Sequence, residues 1–232
     1  ELLNVNYQWT GPNNFVDSVS NPIIKNAKYI DSGMYVVVAN INGCGLSMDS
    51  VFVKVNPQPT IHFLKSLDTL CYGSAKNIAF TLNGKAPWTL EYSNGISNTA
   101  LSNITQSPNF FTIAPTTNTI YSIINIKDSN SCVVKVNNTN EKDTVIVNKL
   151  PIPDFDIATI KCEQRDILFS DNSKADLDAI SSWYWNFGNR TIRNEIAKTP
   201  FIEKYNKWGN YQIKLAVKSS LGCKSDTLIK SI

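Results

Sequence analysis

The sequence predicts an all-β chain, organised as a row of β-sandwich units of about 90 residues each. Three observations carry that prediction: apolar residues alternate with polar ones in many short runs, clusters of Asn, Gly, Ser and Asp separate those runs, and five cysteines recur at regular spacing. Alternation with period 2 marks half-buried strands, because successive side chains leave a strand on opposite faces. Many short strands with regular turns close into sandwiches or barrels, since a sheet with one apolar face needs a second layer. No long stretch carries convincing helical spacing.

The totals fit such units. Hydrophobic residues at 42% and aromatics at 10% suffice for folded cores rather than a disordered linker. A net charge of +3 is too small a field for nucleic acid or an anionic membrane surface, so neither is expected as a partner. Apolar runs such as residues 35–39 are far shorter than the roughly 20 residues of a spanning helix, and no membrane insertion is expected. Glu1 is neither an initiator Met nor part of an export signal, so any such signal is expected upstream.

Taken in order, Val5, Tyr7 and Trp9 begin the first run of strands, Gly11-Pro12-Asn13-Asn14 turns it, and Val51, Val53 and Val55 end it. A joint follows at Val55-Asn56-Pro57-Gln58-Pro59, where two prolines restrict φ and remove donors. The second set holds Ile78, Phe80 and Leu82, the turn Asn83-Gly84, then Trp88, Leu90 and Tyr92 before Ser93-Asn94-Gly95. Pro151 and Pro153 mark the next joint, and the last set contains Trp183, Trp185 and Phe187, then Tyr211, Ile213, Leu215 and Val217. Three units are expected, over residues 1–56, 57–150 and 151–232, strung on short semi-rigid hinges, the first of them lacking its N-terminal strands.

The cysteines sharpen this map. The interval from Cys71 to Cys132 equals that from Cys162 to Cys223, and equal spacing predicts two disulfides, Cys71–Cys132 and Cys162–Cys223. Cys44, Cys132 and Cys223 each follow a turn signal just before a terminal strand, and their nearly equal separations set the period. A partner at the same interval before Cys44 falls upstream of Glu1, so Cys44 is expected to bridge to a cysteine there; a free buried thiol or an intermolecular bridge is the alternative. Paired cysteines imply an oxidising, extracytoplasmic location. No C-x2-C pair is present, and the single His62 cannot complete a zinc site with scattered cysteines.

Several motifs carry resemblances. Asp31-Ser32-Gly33-Met34-Tyr35 resembles the tyrosine corner of immunoglobulin-like domains, although Val37 stands where the antibody pattern has Cys. With Tyr7 through Phe15, and with Cys71-Tyr72-Gly73 and Gly84 through Tyr92, it resembles the Ig-like repeats of type IX-secreted surface proteins of Bacteroidetes. Residues 151–232 resemble a PKD (polycystic kidney disease) domain through Phe169 to Ser173, Trp183-Tyr184-Trp185-Asn186-Phe187-Gly188-Asn189, Pro200 to Tyr205 and Trp208-Gly209-Asn210-Tyr211. Asn189-Arg190 replaces that family's Asp-Gly, so any function of the acidic turn does not carry over. The fold class is thus all-β, tandem immunoglobulin-like sandwiches with a PKD-type domain last. Asp followed by Ser or Thr and an aliphatic residue resembles the Bacteroidetes O-glycosylation motif and implicates Ser18, Ser50, Thr69, Thr144 and Thr227; the alternative is that such triplets arise where strands begin. The N-x-S/T matches at Asn103, Asn137 and Asn189 are discounted on lineage.

The inventory for chemistry is thin. There is no G-x-S-x-G elbow, P-loop or H-E-x-x-H, and His62 reads as a solvated or packing residue, so no enzyme is expected. Asp171, Asn172, Asp176 and Asp178 form an oxygen-rich loop of the kind that can hold calcium, against the simpler reading of a solvated loop; Asp154 and Asp156 are similar. Trp88, Tyr184 and Trp208 are the candidates for a sugar platform, against ordinary surface aromatics. The expected function is a non-catalytic stalk or spacer of a large secreted cell-surface adhesin, with neighbouring repeats of the same chain as partners and surface glycans or proteins as further ones. The alternatives are carbohydrate-binding accessory modules of a secreted hydrolase, or an interaction segment of a surface secretion or motility complex.

Overall fold

The computed structural model describes residues 5–41, 45–64, 68–136, 141–158, 166–176 and 178–232. Strands dominate, with a single 3-10 turn at Tyr29–Asp31 among the described residues. They fall into three groups along the chain.

The first group is one antiparallel sheet in the order β2-β1-β3-β4, from β1 (Val5–Gly11), β2 (Phe15–Asp17), β3 (Gly33–Ile41) and β4 (Gly45–Val53). Asn13 and Asn14 turn β1 into β2 with φ of 53° and 57°, a region that Asn tolerates. The tyrosine corner is present: Tyr35 Oη donates to Asp31 O at 2.7 Å, and Phe15 meets the Tyr35 ring edge-on at 5.4 Å. Gly11 lies so close under that ring that a Cβ would sit 2.4 Å from it.

The second group stacks two sheets. One is β10-β7-β5, from β5 (Thr60–Phe63), β7 (Lys76–Asn83) and β10 (Asn109–Ile113). The other runs β6-β13-β11-β8-β9, from β6 (Asp68–Cys71), β8 (Trp88–Ser93), β9 (Asn98–Ile104), β11 (Thr119–Lys127) and β13 (Lys142–Asn148), with β12 (Val133–Lys135) paired to β11. Ile78, Phe80 and Leu82 point from one sheet, and Leu90, Tyr121, Ile123 and Val145 from the other, into one core. Strand β6 pairs with β13 in parallel, Asn148 opposite Cys71. All the other described strand pairs are antiparallel.

The third group opposes β14-β15-β18 to β17-β16-β19-β20. The first sheet is β14 (Phe155–Ile157), β15 (Asp166–Asp171) and β18 (Phe201–Lys204); the second is β16 (Ile180–Asn186), β17 (Ile192–Glu195), β19 (Gln212–Ser219) and β20 (Leu228–Ser231). Trp183, Trp185 and Phe187 all point inward, as their alternation predicts. Trp185 meets Phe155 edge-on at 5.0 Å, and Phe169 meets Phe187 at 5.2 Å, contacts worth roughly 0.5–1.5 kcal/mol each beyond area burial. Gly188 turns the chain at φ +72°, where a Cβ would meet Gln212 O at 2.9 Å, so this turn needs glycine on two counts.

Candidate functional site: the bonded joint between the second and third groups

Each sandwich has two poles. In the second, the chain enters beside Pro59 and leaves at Asn148. Because β6 and β13 run in the same direction, Cys71 ends its strand at the exit pole, level with Asn148, and Tyr72 N–H donates to Asn148 O at 2.8 Å. In the third, the loop joining β19 to β20 lies at the pole where the chain enters. It is closed by Ser219 N–H to Cys223 O at 2.9 Å and Gly222 N–H to Ser219 O at 3.0 Å, with Gly222 at φ +91°. The poles meet, and Cys71 and Cys223 form a disulfide with Cα atoms 5.5 Å apart.

Polar contacts hold the same joint. Lys149 Nζ lies 3.0 Å from an Asp176 carboxylate oxygen, and Ile152 exchanges backbone hydrogen bonds with Lys174 at 2.8 and 2.9 Å. Asp178 braces the Cys223 loop, accepting from Ser220 Oγ at 3.3 Å and Leu221 N–H at 3.0 Å. Burial works against its ionisation, but hydrogen bonds from Ser219, Leu221 and Ser220 outweigh it and lower the carboxyl pKa. Lys230 Nζ bonds Asp154 at 2.8 Å, also bonds Phe155 O, and sits 4.7 Å from the centre of the Phe155 ring; the Lys230 hydrogen bond is the main cause holding the Asp154 carboxyl below its ordinary range. The joint is therefore bonded rather than a free hinge.

This corrects the disulfide pattern expected from spacing. Cys71 does not pair with Cys132, nor Cys223 with Cys162. Cys132 follows β11, a nine-residue strand that carries the chain from the exit pole back to the entry pole, a distance of roughly 27 Å at 3.3–3.4 Å per residue. Disulfides require Cα separations under about 7 Å. Cys132 instead carries a free, partly exposed thiol. Cys44 and Cys162 lie outside the described residues.

The other predicted site residues scatter. Asp171 accepts from Ser173 N–H at 3.1 Å and faces Lys198 Nζ at 3.7 Å, Asp176 turns to Lys149, and Asp178 to the Cys223 loop, so each carboxylate has its own partner. Asn172 reaches instead to Asp156, at 2.6 Å. No group of three or more His, Cys, Asp or Glu that could hold a metal occurs among the described residues. His62 Nδ1 lies 3.0 Å from Glu141 Oε1, whose other oxygen accepts from Phe63 N–H at 3.0 Å. Trp88 is corrected as a sugar-platform candidate: as the first residue of β8 it turns into the core and is 6% exposed. Trp208 at 86% and Tyr184 at 43% are exposed, the latter over a groove of about 380 Å³ between Asn194, Glu195 and Lys224. Ser18, Ser50, Thr69, Thr144 and Thr227 are all exposed.

No family model matches the chain. Over 147 residues it is 31% identical to the nucleoporin POM152 of Saccharomyces cerevisiae, an alignment covering 59% of this chain and 10% of that protein. Among solved structures it is similar to the PKD1 domain of the Vibrio cholerae metalloprotease PrtV, 26% identical over 36% of this chain and 94% of that one with a TM-score of 0.31. It is similar also to an I-band fragment of titin, 13% identical over 98% of this chain and 87% of that one with a TM-score of 0.47. No helix among the described residues is long and apolar enough to cross a membrane.

Sequence reasoning missed the joint because every contact in it is distant along the chain. One signal was available: the interval from Cys71 to Cys162 equals that from Cys132 to Cys223, and each is one full repeat, so the same data fit a pattern in which cysteines of one type recur per unit and pair between units.

Proposed function

We propose that this chain is a load-bearing, non-catalytic spacer within a longer exported protein, a stalk segment that holds another part of the molecule away from a cell surface. The observation that carries the reading is the Cys71–Cys223 bridge. Tension along the chain passes from β20 to Cys223, across the two sulfurs to Cys71, and on through β5 to the first group. The 151 residues between the two cysteines form a closed loop outside that path, so the bridge shields the strands within the loop from extension. A disulfide persists in an oxidising compartment, which fits export.

The resemblance to Ig-like and PKD repeats of type IX-secreted Bacteroidetes surface proteins supplies the setting: extracellular, at the cell surface, with neighbouring repeats of the same chain as the first partners. The exposure of Ser18, Ser50, Thr69, Thr144 and Thr227 leaves all five open to O-glycosylation.

Stretching the chain from its two ends tests the proposal. Adding reductant should release about 500 Å of extra length, from 152 residues at 3.3–3.6 Å each. Equal lengths with and without reductant would overturn it. Trp208 and the groove beside Tyr184 favour a second reading, a glycan-binding accessory module. A glycan-array signal lost in Trp208→Ala would support that reading over the stalk.

A further inference from the structure

Cys132 and Cys223 occupy the same position in two successive units, down to individual hydrogen bonds. In the second unit, Asp128 N–H donates to Cys132 O at 3.1 Å and Ser131 N–H to Asp128 O at 3.0 Å; in the third, Ser219 and Gly222 make the matching bonds around Cys223. The residue before each cysteine has positive φ, 65° at Ser131 and 91° at Gly222. Each cysteine N–H donates to the side chain four residues earlier, Asp128 Oδ1 at 3.1 Å and Ser219 Oγ at 3.3 Å, and both acceptor residues are buried. The next bond repeats as well: Ser129 N–H donates to Lys85 O, and Ser220 N–H to Ala179 O. Both loops lie at the entry pole of their sandwich. Gly84, next to Lys85, lies against Pro59, where the chain arrives from the first group.

One of these two equivalent loops is cross-linked to the exit pole of the preceding unit; the other carries a free thiol. We infer that Cys132 makes the same intermodule bridge, to a cysteine earlier in a longer chain by the same separation of 152, so that the Cys71–Cys223 bond is one rung of a repeating series. Each rung forms by thiol–disulfide exchange. Two thiols give up two protons and two electrons to an oxidising protein disulfide of the export compartment, which leaves as a dithiol. The ligand of Cys132 is therefore a thiol on the preceding unit of its own chain, and the series makes the row covalently continuous at every joint.

This inference rests on the bridge that carries the proposed function, and one experiment separates the two. The secreted parent protein is alkylated at harvest, digested without reduction and mapped by mass spectrometry. The expected map shows Cys71 linked to Cys223, and Cys132 linked to a cysteine upstream of Glu1, one bridge span before Cys132. An alkylated Cys132, or Cys132 linked to Cys44 or Cys162, overturns the series while leaving the Cys71–Cys223 result to stand on its own. Loss of the Cys71–Cys223 peptide would overturn both. In Cys132→Ser, one new alkylated cysteine is expected, at that upstream position; if none appears, the inference fails.

Discussion

The sheet of residues 5–53 and the third group, residues 155–231, are built from the same alternating strands and end with opposite burial. In the first, Tyr35 is the buried residue among those described, while cross-strand partners such as Met34 and Phe52, or Val38 and Met48, lie on a face that no second sheet among the described residues covers. In the third, Phe155, Phe169, Trp185 and Phe187 are sealed between two sheets. Alternation states which face of a strand requires cover; only an opposing sheet supplies it. The stability of the chain therefore resides in the second and third groups, which are also the two that the disulfide joins.

That contrast can be broken most forcefully at the bridge. Replacing both Cys71 and Cys223 by Ser should lower the unfolding free energy of the bridged groups by about 5 kcal/mol on the loop-entropy model for a 152-residue loop. Urea denaturation followed by tryptophan fluorescence would read it, and an unchanged midpoint would show that the bridge is no staple. Next, Trp185→Ala should cost roughly 3–5 kcal/mol as a core cavity, whereas Trp9→Ala should cost under about 1 kcal/mol, since Trp9 is half-buried and bonded mainly through Nε1 to Val19 O. Equal costs would erase the distinction between a covered and an uncovered sheet.

Smaller effects sharpen the comparison. Tyr35→Phe and Tyr205→Phe each remove one hydrogen bond, to Asp31 O and to Phe187 O, and each should cost about 1 kcal/mol by thermal denaturation. The smallest effect is acid-linked. Asp154 has a folded pKa below the ordinary 3.8, so its pairing with Lys230 stabilises above that value and is lost as pH falls below it. Comparing midpoints at pH 5 and pH 3 for the chain and for Lys230→Met should show a modestly shallower acid loss in the variant. An identical loss in both would remove this pair from the account.

Much of the architecture was legible from residues alone. Trp183, Trp185 and Phe187 read as inward-facing because strand geometry allows only two faces, and Asp31 through Tyr35 read as a corner because its bond is local. Gly188 read as a turn for the same reason. Trp88 misled as a platform candidate although it alternates with Leu90 and Tyr92 on one strand face, and that shared face turns it into the core. The acidic loop misled likewise: Asp171, Asp176 and Asp178 are neighbours along the chain, yet each is drawn to a different partner.

The all-β class, the strand faces and the turns were determined by the sequence itself, because each depends on the order of neighbouring residues and on backbone sterics. Cysteine pairing was decided by tertiary structure. Equal intervals between cysteines favoured bonds within a unit, but the parallel pairing of β6 with β13 carries Cys71 to the exit pole, and β11 carries Cys132 to the entry pole. A disulfide reaches only a few ångströms, so the pole on which a strand ends, rather than the count of residues between two cysteines, chose Cys223 as the partner.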